Sequence, residues 1–381
     1  MTQLVQQPLA RGTHALVIGV GEYPWLDGGK QRRFAHFEGM GQLSSPPVSA
    51  RAFAEWLLSP TGYHNPACPL ASLDLLVSDA STDQFAPPGG TSTTIQRARF
   101  VDVDAAIRAW FQRGNHADDL LLFFYCGHGV ARGLSMTLLP EDYGSLQTPP
   151  QMSLGLAIDF DGLYLGMDSC AARNQIFFVD ACRVASGLLI RTQNFAGNPV
   201  IPGMAQITSP PRNAPIYYGA VPGITAFGRP GKPSFFTEAL LKAFRGAGAD
   251  DTSGTWALQT DTLGRGIHHQ LRRAVANTAA AGQLSMANNI GQPLAFHQLA
   301  GLPECPVDVL CDPESDTAVA TLAVSGNGVQ DTRVPDPLPW ELDLELGDYQ
   351  FEAKVGTPTT KSGRSVSRAA PPFRSVKIRV T

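Results

Sequence analysis

Two unbroken apolar runs dominate the pattern, and each ends in residues able to do chemistry. The first is Leu120-Leu-Leu-Phe-Phe-Tyr125, preceded by Asp118-Asp119 and followed by Cys126-Gly127-His128-Gly129. The second is Ile176-Phe-Phe-Val179, preceded by Asn174-Gln175 and followed by Asp180-Ala181-Cys182-Arg183. Apolar runs of this length without alternation predict strands buried on both faces, as in a parallel sheet covered by helices. Ligands of such sheets bind beyond the carboxyl ends of the strands. His128 and Cys182 both stand at such ends.

The rest of the pattern alternates between strand and helix. His14–Gly21 reads as a buried strand entering a long loop, Glu22–Pro47, rich in Gly, Arg and Phe. Its glycines fit neither the dinucleotide nor the P-loop spacing. Ser49–Leu58 has helical spacing through Ala50, Phe53, Ala54 and Leu57, and Leu73–Val77 is a strand. Ser81–Thr93 is a loop, followed by a helix over Asp102–Arg113 with Asp102 as its cap. Met136–Pro140 is a short apolar run ending in Glu141-Asp142, and Phe160–Ala172 is helical. Val184–Asn213 is a loop, Ala214–Val221 a strand, and Ser234–Arg245 and Leu263–Ala280 are helices. This alternation predicts an α/β domain, residues 1–302.

From Pro303 onward the helical period disappears. Short β-type runs replace it at Val307–Leu310, Ala318–Val324, Trp340–Leu344, Tyr349–Val355 and Val376–Val380, punctuated by Pro and Gly. Residues 303–381 are therefore expected to form a small all-β sandwich, with Leu342, Leu344 and Leu346 on a buried face and acidic residues outside.

Composition narrows the function classes. The chain has 381 residues, a formal charge of -4, 43% hydrophobic and 16% charged residues. Nothing in that balance, and no stripe of Lys and Arg, points to nucleic acid. Met1–Arg11 lacks an apolar core segment and no apolar run reaches membrane-spanning length, so neither a secretory signal nor a membrane span is expected. The six cysteines include no paired metal-ligand spacing; Cys305 and Cys311 lack partners nearby, and Asp250-Asp251 is too little for a calcium cage. Reduced thiols in a cytoplasm, with no metal and no cofactor, are the expectation.

Cys182 and His128 form a chemically sufficient pair if the sheet joins them. A thiol is a nucleophile only as thiolate, scarce at neutral pH when its pKa is about 8.5. An imidazole can take its proton and return it to the leaving group. Gly127 and Gly129 permit a tight turn at the histidine, and the N–H groups of Gly129 and Cys182 are candidate oxyanion donors. Taken singly, each residue reads more readily as a turn histidine or a core cysteine. Jointly, at two strand ends and in this order, they favour chemistry. The order matches the caspase pattern, with the histidine about fifty residues upstream.

Tyr125-Cys126-Gly127-His128-Gly129 and Asp180-Ala181-Cys182-Arg183 resemble the histidine and cysteine motifs of caspase-like cysteine peptidases, the clan that includes metacaspases and their bacterial relatives. The resemblance extends over residues 12–300, through His14–Gly21, Leu43–Leu58, Leu138–Asp142 and Ser234–Phe244. It implies a mostly parallel six-stranded sheet between helices, and peptide hydrolysis through an acyl-enzyme on Cys182 with His128 as acid and base. It also implies that Asp180 reads substrate charge: the matching residue is Gln in caspases with acidic preference and Asp in metacaspases. Two departures stand out. Val48-Ser49 replaces the family's Asn-Asp pair, and Cys126 stands where Ser is common, so the basic preference rests mainly on Asp180. Arg191 and Arg212, in the loop that the family sometimes cuts, are candidate processing positions. Pro339–Ala353 resembles the closing strands of transthyretin-like or PEGA-type sandwiches, which implies docking of a regulatory protein or of substrate by residues 303–381.

The leading reading is a cysteine endopeptidase acting on proteins or peptides after Arg or Lys. The readings beside it are a catalytically silent scaffold of the same fold, a cleaver after acidic residues, and a thiol amidase of small molecules.

Overall fold

The computed structural model describes residues 3–7, 11–31, 40–133, 135–145, 154–183, 197–203, 211–251 and 254–381. The chain divides into two compact units: Met1–Leu241 with Ala274–Leu294, and Lys242–Arg273 with Ala295–Thr381. The second unit thus takes in residues before the boundary expected near residue 303, among them a helix whose His269 and Arg273 hold Asp308 of the C-terminal strands.

The first unit is built on a seven-stranded sheet. Its strands are β1 (Gln3–Gln6), β2 (Thr13–Val20), β3 (Leu70–Ser78), β4 (Leu120–Gly127), β5 (Asn174–Ala181), β6 (Ile216–Tyr218) and β7 (Met286–Asn288). Their spatial order is β1-β3-β2-β4-β5-β6-β7. The inner five run parallel, whereas β1 and β7 pair antiparallel with β3 and β6. The sheet is thus mostly parallel, as expected, with one strand more than six.

Four helices pack on this sheet: α1 (Ser45–Leu58), α2 (Phe100–Arg113), α3 (Phe160–Gly166) and α4 (Phe235–Lys242). Successive residues of a strand face opposite sides, and the two central phenylalanines show which helix lies where. Phe124 stacks on Phe53 of α1 at 4.5 Å between centroids, while Phe123 meets Trp110 of α2 at 5.9 Å. Phe178 and Phe177 of β5 repeat the division, toward Phe53 and toward Trp110. Continuous apolar runs are thus what a sheet buried on both faces requires.

Several boundaries shift for local reasons. Helix α1 starts at Ser45 because Pro46 and Pro47 occupy its first turn, where no N–H is needed. The residue capping α2 is not Asp102, which lies inside the first turn; the Asp142 carboxylate instead accepts the Phe100 N–H at 2.8 Å. Helix α3 stops at Gly166 and passes into a 3₁₀ turn, Met167–Ser169.

The second unit contains a helix, α5 (Thr260–Val275), most of which belongs to it, a small three-stranded sheet of Ala249–Asp251, Trp256–Gln259 and Ala295–Gln298, and two further sheets of strands β8–β14. These are β8 (Glu304–Asp312), β9 (Ala320–Gly326), β10 (Val329–Arg333), β11 (Trp340–Glu345), β12 (Gly347–Val355), β13 (Lys361–Ala369) and β14 (Arg374–Arg379). One sheet is ordered β11-β8-β14 and the other β10-β9-β12-β13. Val307, Leu322, Phe351 and Ile378 meet in the core. Of the three leucines expected on the buried face, Leu344 is buried and Leu342 and Leu346 are half-buried against the core, while Glu341, Asp343 and Glu345 are exposed.

Candidate active site

Strands β4 and β5 are parallel neighbours whose last residues pair Asp180 with Cys126 and Ala181 with Gly127. The chain therefore leaves both strands at one level of one edge, and the next residues are His128 and Cys182. Both line a single cavity of about 620 Å³, together with Cys126, Gly129, Asp180, Ser234, the segment Gln42–Pro46 and the segment Thr225–Gly228. Five residues expected at the site, namely Cys126, His128, Gly129, Asp180 and Cys182, are brought together.

His128 is held at its backbone and at its ring. The Tyr23 hydroxyl accepts the His128 N–H at 2.8 Å and donates to the Leu139 carbonyl at 3.1 Å. Tyr125 donates to the carbonyls of His128 and Leu139 at 3.0 and 2.7 Å. The Tyr23 ring packs on the imidazole with 4.7 Å between centroids. Nε2 lies 2.7 Å from the Gly41 carbonyl, which can only accept. The proton of the neutral ring is therefore on Nε2, and Nδ1 carries the free lone pair. Burial pushes the imidazole pKa down to about 4, opposed by the Gly41 carbonyl.

Cys182 donates from its thiol to the Ala226 carbonyl at 3.5 Å. Burial raises the thiol pKa, the Ala226 contact lowers it, and the charge of Asp180 raises it further. Both partners of the pair are thus neutral at rest. Gly129 passes so close to the nucleophile segment that a Cβ would lie 2.9 Å from the Ala181 Cβ and 2.9 Å from the Cys182 carbonyl oxygen. Glycine is needed there to bring the two backbones together.

Asp180 faces the α1 and α4 side of the sheet and is 3% exposed. Its Oδ2 accepts from the Ser234 hydroxyl, from the Thr237 hydroxyl at 2.7 Å and from the Cys126 thiol at 3.2 Å. Ser234 also caps α4, accepting the Thr237 N–H at 3.0 Å, so the carboxylate sits at a helix N-terminus. Ser49, at the place of the missing acid, is fully buried and accepts the Ser234 N–H at 3.0 Å. Burial raises the Asp180 pKa, and the Ser234, Thr237 and Cys126 donors pull it back. Among the described residues lining the cavity, Asp180 is the one carboxylate, and none is Lys or Arg.

Of the two candidate processing positions, the structure describes Arg212 alone, and it lies away from the cavity. Arg191 falls outside the described residues. Arg212 stands at the opposite end of β5, roughly 20 Å of strand away, where it donates to Gln175 at 2.8 Å and pairs with Asp168. Its guanidinium lies 3.9 Å from the centroid of the Tyr164 ring and its side chain is 6% exposed. A protease would have to pull Arg212 from a packed ion pair.

Residues 13–279 match the family model for the caspase domain. The chain belongs to the caspase-domain family. A probable protease of a Desulfuromonadales bacterium is 26% identical over 384 residues, covering 91% of this chain. The chain spans only 41% of that relative's length. An uncharacterized protein of Sinorhizobium fredii is 23% identical over 81% of this chain and 93% of its own length. Among solved structures, caspase-1 from Spodoptera frugiperda aligns with 77% of this chain and 99% of its own at 14% identity and a TM-score of 0.43. Membership of the caspase-domain family supports a protease-like function in general terms.

Proposed function

We propose that the chain is a cysteine endopeptidase that cleaves protein or peptide substrates after Arg or Lys. The observation that carries this reading is the shared cavity beyond β4 and β5 that holds Cys182, His128 and Asp180. In the proposed mechanism, Nδ1 of His128 takes the Cys182 thiol proton as sulfur attacks the scissile carbonyl, and returns it to the leaving amine. Water then hydrolyses the acyl-enzyme with the same ring as base. Because both groups rest in their neutral forms, proton transfer accompanies attack instead of preceding it. The N–H groups of Gly129 and Cys182 are the proposed donors to the oxyanion.

The basic preference follows from charge. A cavity whose described lining offers one carboxylate and no cation attracts a cationic side chain and repels an acidic one. Protein substrates fit this family setting, and a regulatory partner at residues 303–381 remains a proposal of the same kind. Labelling with an Arg-bearing chloromethyl ketone tests the assignment: mass spectrometry should find the adduct on Cys182, and none after His128→Ala. Equal labelling by an Asp-bearing ketone would defeat the basic-pocket reading, and no adduct with either would favour the silent scaffold.

A further inference from the structure

The carbonyl that takes the Cys182 thiol is itself aimed from behind. The Ala226 oxygen accepts from the thiol at 3.5 Å. It shares one peptide unit with the Phe227 N–H, and a trans peptide is planar, with its C=O and N–H pointing in opposite directions. Whatever holds the N–H therefore also aims the carbonyl. The Phe227 N–H donates to the side-chain oxygen of Gln283 at 3.0 Å. The nitrogen of the same amide donates to the Gly219 carbonyl at 2.8 Å. Gly219 in turn donates to the Val179 carbonyl at 2.9 Å, in β5, the strand that leads into Cys182.

These bonds close a circuit from β5 through Gly219, Gln283 and the Ala226–Phe227 peptide to the thiol. Gln283 comes from a separate segment, shortly before β7, and is 1% exposed. Only a side chain that both accepts and donates can serve the Phe227 N–H and the Gly219 carbonyl at once. We propose that Gln283 is a positioning residue for the nucleophile: it aims the Ala226 carbonyl, and that carbonyl fixes where the Cys182 sulfur stands in the cavity. This rests on the reading of Cys182 as nucleophile given above.

The segment around Ala226 has other anchors, and they leave this task to Gln283. Arg183 donates to the Ile224 carbonyl at 3.3 Å and accepts from the Gly223 N–H at 2.9 Å, while the Phe235 N–H of α4 donates to the Phe227 carbonyl at 3.4 Å. The segment therefore stays tied to Arg183 and to α4 without the amide. What Gln283 adds is the rotation of one peptide plane. Attack on a carbonyl needs the sulfur within a narrow range of distance and angle, and a misplacement of about 1 Å can cost about 100-fold. Loss of the amide should slow the chemical step more than it weakens substrate binding.

The infrared S–H stretch reads the contact directly, since its frequency rises when the hydrogen bond is lost. Subtracting the spectrum of Cys182→Ser from that of the full chain isolates the Cys182 band, with no turnover needed. In the parent that band should lie at the lower, bonded frequency. Gln283→Met, of similar length but without the amide, should move it to the free-thiol frequency. The same variant should lower kcat on Arg or Lys peptides about tenfold with KM held within about threefold. Gln283→Glu at mildly acid pH should keep both the band and kcat. Burial favours its neutral carboxyl, which accepts from Phe227 and donates to Gly219 as the amide does. A free-thiol band in the parent, a band unmoved by Gln283→Met, or one lost in Gln283→Glu overturns the positioning role. So does a rise in KM with kcat kept. A bonded band that follows Gln283 in a chain that hydrolyses neither peptide supports the aiming of the thiol and removes the peptidase reading instead.

Discussion

At the scale of single residues, the site rests on side chains that do no chemistry of their own. Tyr23 connects the His128 N–H to the Leu139 carbonyl through one buried hydroxyl. Tyr23→Phe leaves the His128 N–H unpaired, at a cost of about 1–3 kcal/mol, while the Leu139 carbonyl keeps the Tyr125 hydroxyl. Chemical denaturation should show that loss, and kcat should fall with KM nearly unchanged, since the phenol touches the histidine and not the cavity. Cys126, His128, Asp180 and Cys182 could be read from the sequence because they sit in two compact motifs. Tyr23, Gly41 and Thr237 could not, because each reaches the site from a different segment and only the folded chain shows the contact. Tyr125 stands inside the histidine motif and Ser234 at the start of a helical run, but nothing local reveals that Ser234 also serves Asp180.

The histidine makes a prediction about pH. Its pKa in the fold, about 4, lies below the ordinary 6.5. The unfolded chain therefore binds this proton first, and stability from this group is complete above about 6.5 and lost as pH falls through about 4. The acid limb of kcat/KM should likewise centre near 4 for the free enzyme, below that of an ordinary imidazole. A pH–rate profile with substrate well below KM checks it; a limb at the ordinary value would contradict the buried neutral ring.

At the scale of elements, the close approach of the two catalytic strand ends depends on Gly129. Gly129→Ala puts a methyl 2.9 Å from both the Ala181 Cβ and the Cys182 carbonyl oxygen, and 3.0 Å from the Met136 Cε. Overpacking of this kind costs about 1–3 kcal/mol. A thermal melt should shift downward, with activity falling further than stability explains because the segments carrying His128 and Cys182 are pushed apart. The inner strands were legible since burial on both faces leaves an unbroken apolar signature. The edge strands were not. Gln3–Gln6 and Met286–Asn288 are short, carry polar residues and have a single neighbour each in the sheet.

At the scale of the whole molecule, the change in texture near residue 303 marks where helices stop, not where the units divide. Asp308 of β8 shows why. It accepts from His269 Nε2 at 2.9 Å and from Arg273 Nε at 2.8 Å, both from α5. Burial pushes its carboxyl pKa up, but the His269 and Arg273 donors and the Arg273 charge hold it below the usual range. A helix with polar residues on the face that meets a β-sandwich gives no sequence sign of belonging to it. Asp308→Ala should destabilise the second unit by about 3 kcal/mol through the buried partners it strands. Limited proteolysis should then cut the C-terminal strands sooner, while the cavity lined by Cys182 and His128 keeps its reactivity.

The most direct test of the account is turnover. Matched fluorogenic peptides with Arg, Lys and Asp before the scissile bond are offered to the intact chain and to Cys182→Ala. The Arg and Lys peptides should be hydrolysed and the Asp peptide little, with a loss of at least about 1000-fold in the variant. Hydrolysis that survives Cys182→Ala, or that favours the Asp peptide, would contradict it.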